Sequence, residues 1–158
     1  MIRNDVIVYY KATGPRHTDG RAPLKSTDLF RVQSMTKPIT AVAAMQLFAQ
    51  GKFHLSNSIE KFVPELAGIN LLDEQGLLVD TETPVTMHQL LNHTAGFSYG
   101  LVPLTDLVDA LKLQADLWAA KDLDEFARRV VKLPLKFQPG TKYNYSIAED
   151  LTGLVVQL

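Results

Sequence analysis

The stretch that opens at Ser34 constrains this chain more than any other. At helical spacing, Met35, Ile39, Val42, Ala43, Met45, Leu47 and Phe48 leave almost no polar face. A helix that is apolar all round is a buried one, so the pattern predicts a central helix with other elements packed around it. Gly51 is placed to stop it, because glycine takes the left-handed conformation after a helix end without a Cβ penalty. The apolar run Ile39 to Ala49 falls far short of the roughly 20 residues needed to cross a bilayer, so it reads as a core helix and not as a span.

The rest of the chain supplies more helices than strands. Asp5 to Lys11 is β-branched and aromatic and reads as a strand. Ala12 to Ser26 is rich in Gly, Pro, Thr and Asp and reads as a loop. Leu29 to Val32 is a short extended approach to Ser34. Three capping boxes mark later helix starts: Thr86 with Gln89, Asp122 with Glu125, and Ser146 with Glu149. The helix from Thr86 is expected to end between His93 and Gly96. Thr105 to Ala119 is a further helix, and Pro139-Gly140 is a turn. One clear strand cannot hide its own edge or bury a face. Leu151 to Leu158 is apolar and helical and ends without a stop signal. Both features lead to the expectation that the chain is one part of a larger domain.

With 158 residues, the chain suits one domain, and its 46% hydrophobic content can build a core. The net charge of −1, with scattered basic residues, excludes an electrostatic footprint for nucleic acid or an anionic membrane. The absence of cysteine excludes disulfides and Cys-based zinc or redox sites. No leader is visible in Met1 to Asp5. Together these set the expectation of a cytoplasmic protein.

Several patterns could carry chemistry. Ser34 and Lys37, three apart on a helix, share one face. A serine at a helix N-terminus sits in a field that favours developing negative charge. Lys37 can take its proton if burial or a neighbouring positive charge lowers the lysine pKa. Ser58-Ile59-Glu60-Lys61 repeats the spacing in a polar segment, where a solvated lysine is the simpler reading. Gly96-Phe97-Ser98-Tyr99-Gly100 matches the nucleophile-elbow pattern, which should follow a strand and precede its histidine in the chain. Here it follows a helix, and His17, His54, His88 and His93 all lie upstream. His88 and His93 are five apart and do not share a helix face, so no metal site is expected. Tyr145, just before a helix N-terminus, is a candidate acid or base; packing is the simpler role for such a tyrosine.

Context then points to a family. The segment Leu29-Phe30-Arg31-Val32-Gln33-Ser34-Met35-Thr36-Lys37-Pro38 resembles the nucleophile segment of the β-lactamase/penicillin-binding superfamily. More narrowly, it resembles the family VIII carboxylesterases, which share the class C β-lactamase fold. The likeness continues in order through Leu47 to Leu55, Phe62-Val63-Pro64-Glu65-Leu66, Val85 to Gly96, and Phe137-Gln138-Pro139-Gly140 with Tyr145-Ser146. It covers residues 28 to 158. The resemblance implies that Ser34 is acylated and that Lys37 helps deprotonate it. It also implies that Tyr145 acts with Lys37 as general base and then protonates the leaving group. Ile147 stands where class C β-lactamases usually carry an asparagine that contacts the substrate amide, which looks more like the esterase branch. The family's third motif, on a later strand that also supplies the second oxyanion donor, has no counterpart here.

The expected fold is α+β: the mostly helical portion of a β-lactamase-like serine hydrolase with a remnant of the antiparallel sheet. Residues 1–158 are expected to form a single, incomplete domain, with 1–33 the sheet-side remnant and 34–158 the mainly helical region. The leading function is hydrolysis of short-chain esters, or of β-lactams, with no cofactor and no metal. The alternatives are a catalytically incompetent fragment that only binds or assembles, and a penicillin-binding or D-aminopeptidase-like protein. An exposed sheet edge and a bared face of the apolar helix favour self-association.

Overall fold

In the computed structural model, residues 1–100 and 107–158 are described, apart from the side chains of Ala110 and Leu113. The start of the expected helix Thr105–Ala119 therefore lies outside the described residues, as do Leu101, Val102 and Pro103. The chain divides into two compact units, Met1–Ser34 and Met35–Leu158.

The first unit opens with a hairpin that the sequence reading missed. Strands β1 (Ile2–Arg3) and β2 (Val6–Ile7) pair antiparallel, with Ile2 opposite Ile7 and Arg3 opposite Val6. Asn4 and Asp5 form the turn at φ +49° and +60°. Both are residue types that tolerate the left-handed region, which a two-residue hairpin loop requires. Asp5 is thus a turn residue and not the start of a strand, and the ladder ends at Ile7. Beyond it, Met1 still donates its ammonium to the Tyr9 carbonyl at 2.7 Å. Residues 12–26 form the expected loop, closed by Arg16 N–H to Ala22 O at 2.7 Å and Leu24 N–H to Gly14 O at 2.9 Å.

The second unit is built around helix α5 (Ala148–Gln157), against which α1 (Lys37–Ala49), α2 (Met87–Leu91) and α4 (Leu123–Val130) pack. Helix α3 (Leu107–Ala115) and the short 3-10 turns Ile59–Lys61, Pro64–Leu66 and Leu117–Ala119 add to the helical set of this unit. Strands β3 (Asn70–Leu72) and β4 (Leu78–Asp80) form a second antiparallel hairpin, also missed from sequence. Its signal was the polar turn Asp73–Gly76 between two apolar runs. Asp73 Oδ1 accepts from Gln75 and Leu77 N–H at 3.0 and 2.7 Å. The fold class is α+β: helices with small antiparallel sheets.

Further expectations need correction. Helix α1 is not buried all round. Only Ala44 is buried, while Ile39 and Val42 are 68% and 60% exposed. The apolar circumference has one packed side, against α5, where Thr40 lies within 3.8 Å of where a Gly153 side chain would begin. Its C-terminus ends as expected: Gly51 at φ +72° donates to Phe48 O at 2.9 Å and Lys52 to Leu47 O at 3.1 Å. The second correction concerns Ser146. Its hydroxyl accepts from Ala148 N–H at 3.3 Å instead of from Glu149, and Ile147 precedes α5 without a side-chain cap. Glu149 is drawn into the interior and cannot reach back. The Thr86–Gln89 box forms reciprocally, at 2.9 and 3.3 Å. At Asp122 only half forms, because Glu125 turns to Lys121 N–H instead.

Gly96 (φ +94°) is the position least tolerant of a side chain. A Cβ there would lie 2.6 Å from the Phe137 carbonyl oxygen. Gly96→Ala is expected to lower stability by about 2–4 kcal/mol through the clash and the left-handed backbone. Urea unfolding followed by circular dichroism measures it; a change below 0.5 kcal/mol is inconsistent with this packing.

Candidate active site

The site begins with two backbone segments joined side by side. After α2, residues 93–97 run along 136–146. Lys136 N–H donates to Gly96 O at 2.8 Å, Gly140 N–H to Thr94 O at 2.8 Å, and Asn144 N–H to His93 O at 2.9 Å. The Asn144 amide donates to Phe97 O at 2.7 Å. His93 takes a left-handed backbone (φ +59°), and its Nδ1 accepts from Ser146 N–H at 3.4 Å. These bonds flank Tyr145 on both sides in sequence and fix its backbone. The Pro139-Gly140 turn is what lets the second segment come back past the first, with Gly140 at φ +87°.

Around Tyr145 the side chains converge. Its ring lies 4.7 Å from the His93 ring and 5.4 Å, nearly parallel, from the Tyr99 ring. Lys37 starts α1, where Pro38 in the first turn removes a donor that would have no helical partner. Its Nζ lies 5.0 Å from the Tyr145 ring centre and 5.1 Å from that of Tyr99. Lys37 also hydrogen-bonds Tyr145 through its side chain.

The electrostatics follow from that placement. Burial pushes the Lys37 ammonium down, but the Tyr145 hydrogen bond and the fields of Tyr99, Tyr145 and Asp150 outweigh it and hold the group above its ordinary value. The lowered lysine that would make Lys37 itself a base is not what this arrangement produces. His93 is held below its ordinary value by burial and by the Lys37 charge, so its neutral ring can accept from Ser146. Burial raises Asp150, and it pushes Glu149 up to about 7; the Lys37 charge opposes both shifts. No partner among the described residues reaches Glu149 Oε2 or Asp150 Oδ2, both of which are buried.

Ser34 lies in the 3-10 turn Gln33–Thr36, which leads directly into α1, and it is exposed. The residue before it, Gln33, has φ +49°, a strained setting for a side chain that is neither Gly nor Asn. The rival serines have other duties. Ser58 caps a short 3-10 turn by accepting from Glu60 N–H at 3.3 Å, and Lys61 reaches Asn57 at 3.4 Å in solvent. Ser98 is buried; its hydroxyl donates to Asp109 and accepts from Gly100 N–H at 3.1 Å. Asp109 in turn pairs with Lys136 at 3.1 Å. A serine whose donor and acceptor are both committed inside the fold is a structural residue. Ile147 is buried in the core. His88 is exposed on α2, away from the role His93 plays.

Sequence reasoning missed Tyr99, Asp150 and Lys112. Lys112 is buried, donates to the Tyr99 carbonyl, and lies over the Tyr99 and Trp118 rings at 4.7 and 5.3 Å. Burial pushes it down to about 8 against the pull of Asp150 and Asp109. No sequence signal marks it, since a lysine on an amphipathic helix ordinarily faces solvent.

Known proteins resemble this chain in sequence and fold. The family model described as Beta-lactamase matches residues 1–157. Esterase EstB of Burkholderia gladioli is 35% identical over 99% of this chain, which covers 39% of that protein. The solved structure of EstCE1, a hydrolase with promiscuous acyltransferase activity, superposes with a TM-score of 0.75 at 27% identity, over 93% of this chain and 37% of that one. An octameric penicillin-binding protein homologue from Pyrococcus abyssi superposes with a TM-score of 0.64 at 26% identity, over 99% of this chain and 33% of that one. The chain thus spans about two-fifths of the length of the curated esterase it matches. Its helices and small antiparallel sheets form part of a β-lactamase-like fold.

The Glu149 carboxyl yields a pH test. Its folded pKa lies above its unfolded value, so the folded state holds the proton more tightly. Its stabilising contribution is complete below the unfolded value near 4.5 and is lost as pH rises through about 7. His93 has the opposite sign, losing stability as pH falls through its unfolded value of 6.5. Comparing Glu149→Gln with wild type cancels the His93 contribution. The two proteins are expected to melt together at pH 4, with the variant more stable by about 1–3 kcal/mol at pH 8. Equal melting temperatures across that range would show that the carboxyl is solvated.

Proposed function

The chain belongs to the β-lactamase family, and on that premise we propose that it carries the acyl-transfer residues of a serine ester hydrolase: Ser34, Lys37 and Tyr145. The observation that supports this best is the Lys37–Tyr145 pair, an ammonium held charged beside a phenol whose backbone is fixed on both sides. A neighbouring positive charge favours the ionised form of an acid. Tyr145 Oη as phenolate accepts the Ser34 proton while Ser34 Oγ bonds to the ester carbonyl carbon. As the carbon–alkoxide bond breaks, the Tyr145 proton passes to the leaving oxygen. Water then repeats the sequence on the acyl-enzyme: its proton goes to Tyr145, its oxygen to the carbonyl, and Ser34 regains a proton as it leaves. Lys37 keeps its own proton throughout and acts through its charge. The Ser34 N–H, at the mouth of the turn into α1, serves the oxyanion.

Short-chain carboxylic esters are the proposed substrates. The relatives named as esterase and hydrolase with acyltransferase activity support the acyl chemistry. The penicillin-binding homologue makes a β-lactam the second ligand class to test. Residues 1–158 are proposed to act as one domain. Self-association is proposed through the bared face of α1, where Ile39, Val42 and Met45 are exposed together; a relative of this fold is octameric.

Hydrolysis of p-nitrophenyl butyrate tests the chemistry. Ser34→Ala is expected to abolish turnover, a loss on the order of 10⁵- to 10⁶-fold in kcat. Tyr145→Phe is expected to lower kcat by about 100- to 10,000-fold with KM little changed. Equal activity of wild type and Ser34→Ala would remove Ser34 from the mechanism. Inert wild type would favour binding or assembly without turnover, consistent with a chain two-fifths the length of the esterase it matches. For assembly, light scattering at high concentration is expected to give a molar mass above that of one chain, reduced by Val42→Lys. A monodisperse monomer would refute it.

A further inference from the structure

An unbroken row of aromatic rings leads away from Tyr145. Tyr99 stacks on Tyr145 at 5.4 Å with 28° between planes, Trp118 follows Tyr99 at 5.7 Å, and Phe126 backs Trp118 at 6.2 Å. Phe126 is buried in the core, whereas Trp118 is 58% exposed. The row therefore runs from the core, surfaces at Trp118, and ends on the phenol assigned above to proton transfer.

Trp118 is not a loose surface side chain. It sits in the turn Leu117–Ala119, which is entered through Asp116 at φ +44° and anchored by the buried Leu117. Arg129 donates to the Asp116 carbonyl at 2.5 Å and is itself held by Glu125 at 2.6 Å. The buried Lys112 ammonium lies over both the Tyr99 and Trp118 rings. An apolar ring presented this rigidly loses little freedom when something covers it, so its burial appears more fully as affinity.

We propose that Trp118 and Tyr99 form the specificity surface of this site, and that they receive a planar aromatic group of the substrate in preference to a saturated group of the same size. This rests on the ester-hydrolase reading, which it deepens by naming the substrate class. The ring spacings in the row already fall in the 4.5–7 Å range of offset-stacked and tilted aromatic pairs, so an incoming planar group extends the row in the same geometry. A cyclohexyl group buries similar area but cannot stack. Trp118 is joined to Tyr145 through the single intervening ring of Tyr99.

Trp118 is the sole tryptophan, so its fluorescence reports the site directly. The full 158-residue chain carrying Ser34→Ala, which removes turnover, is titrated with butyranilide and with N-cyclohexylbutyramide. Butyranilide is expected to change the emission saturably and to bind about five-fold more tightly than the cyclohexyl amide. By calorimetry, Trp118→Leu in the same background is expected to bind the two amides equally, and Trp118→Phe to recover part of the preference. Circular dichroism confirms folding; should the leucine variant not fold, the phenylalanine variant and the fluorescence titration decide. No saturable response to butyranilide, equal affinity for the two amides, or a preference that survives in Trp118→Leu overturns the proposal. Binding is read without turnover, so such a failure leaves Ser34-dependent hydrolysis standing, and failure of hydrolysis leaves this result readable.

Discussion

The hydrogen bonds between residues 93–97 and 136–146 carry the architecture of the site. They bring together stretches of chain some fifty residues apart, exemplified by Asn144 donating to both His93 and Phe97. Tyr145 sits inside this joint, so its ring is aimed by backbone and not by its own rotamer alone. Gly96 shows how close the approach is: the space a methyl group would need is filled by the Phe137 carbonyl. The left-handed backbone at His93 turns its ring toward Tyr145 and lets Nδ1 accept from Ser146. A displacement anywhere along the joint would move the phenol relative to Lys37.

The second organising feature is charge placed in a partly dry environment. Lys37 and Lys112 both lie over the Tyr99 ring, and Asp150 attracts both. The balance comes out differently for each. Lys37 donates a hydrogen bond to Tyr145 and stays charged; Lys112, more deeply buried, is pushed down to about 8. An ammonium locked beside a phenol, with a neutral histidine on the phenol's other contact, suits proton transfer by the tyrosine rather than by the lysine.

Helix starts and stops were legible in the sequence because they depend on local chemistry. The Thr86–Gln89 box and the Gly51 stop need only residues within a few positions of each other. Where a tertiary demand competed, the local reading gave way. Glu149 left its capping position for the interior, whereas Glu125 took a competing local donor, Lys121 N–H, instead of closing its box. Both hairpins escaped notice because their strands are two or three residues long, too short for alternation to register. Helix α1 reads as buried from composition, yet burial requires a partner on each side, and its packed side is the one toward α5.

By itself, the sequence determined most of the helix starts and stops, the helical character of the larger unit, and the residues Ser34, Lys37 and Tyr145 as candidates, because motif spacing and capping chemistry act within short range. Only the tertiary structure decided the charge state of Lys37, the retirement of Ser98 to a buried pair with Asp109, and the placing of Tyr99 against the phenol, with Trp118 and Lys112 beyond it and Asp150 in the field of both lysines. The physical reason is the same in each case. Desolvation and through-space fields depend on which distant segments become neighbours, and no local pattern encodes that.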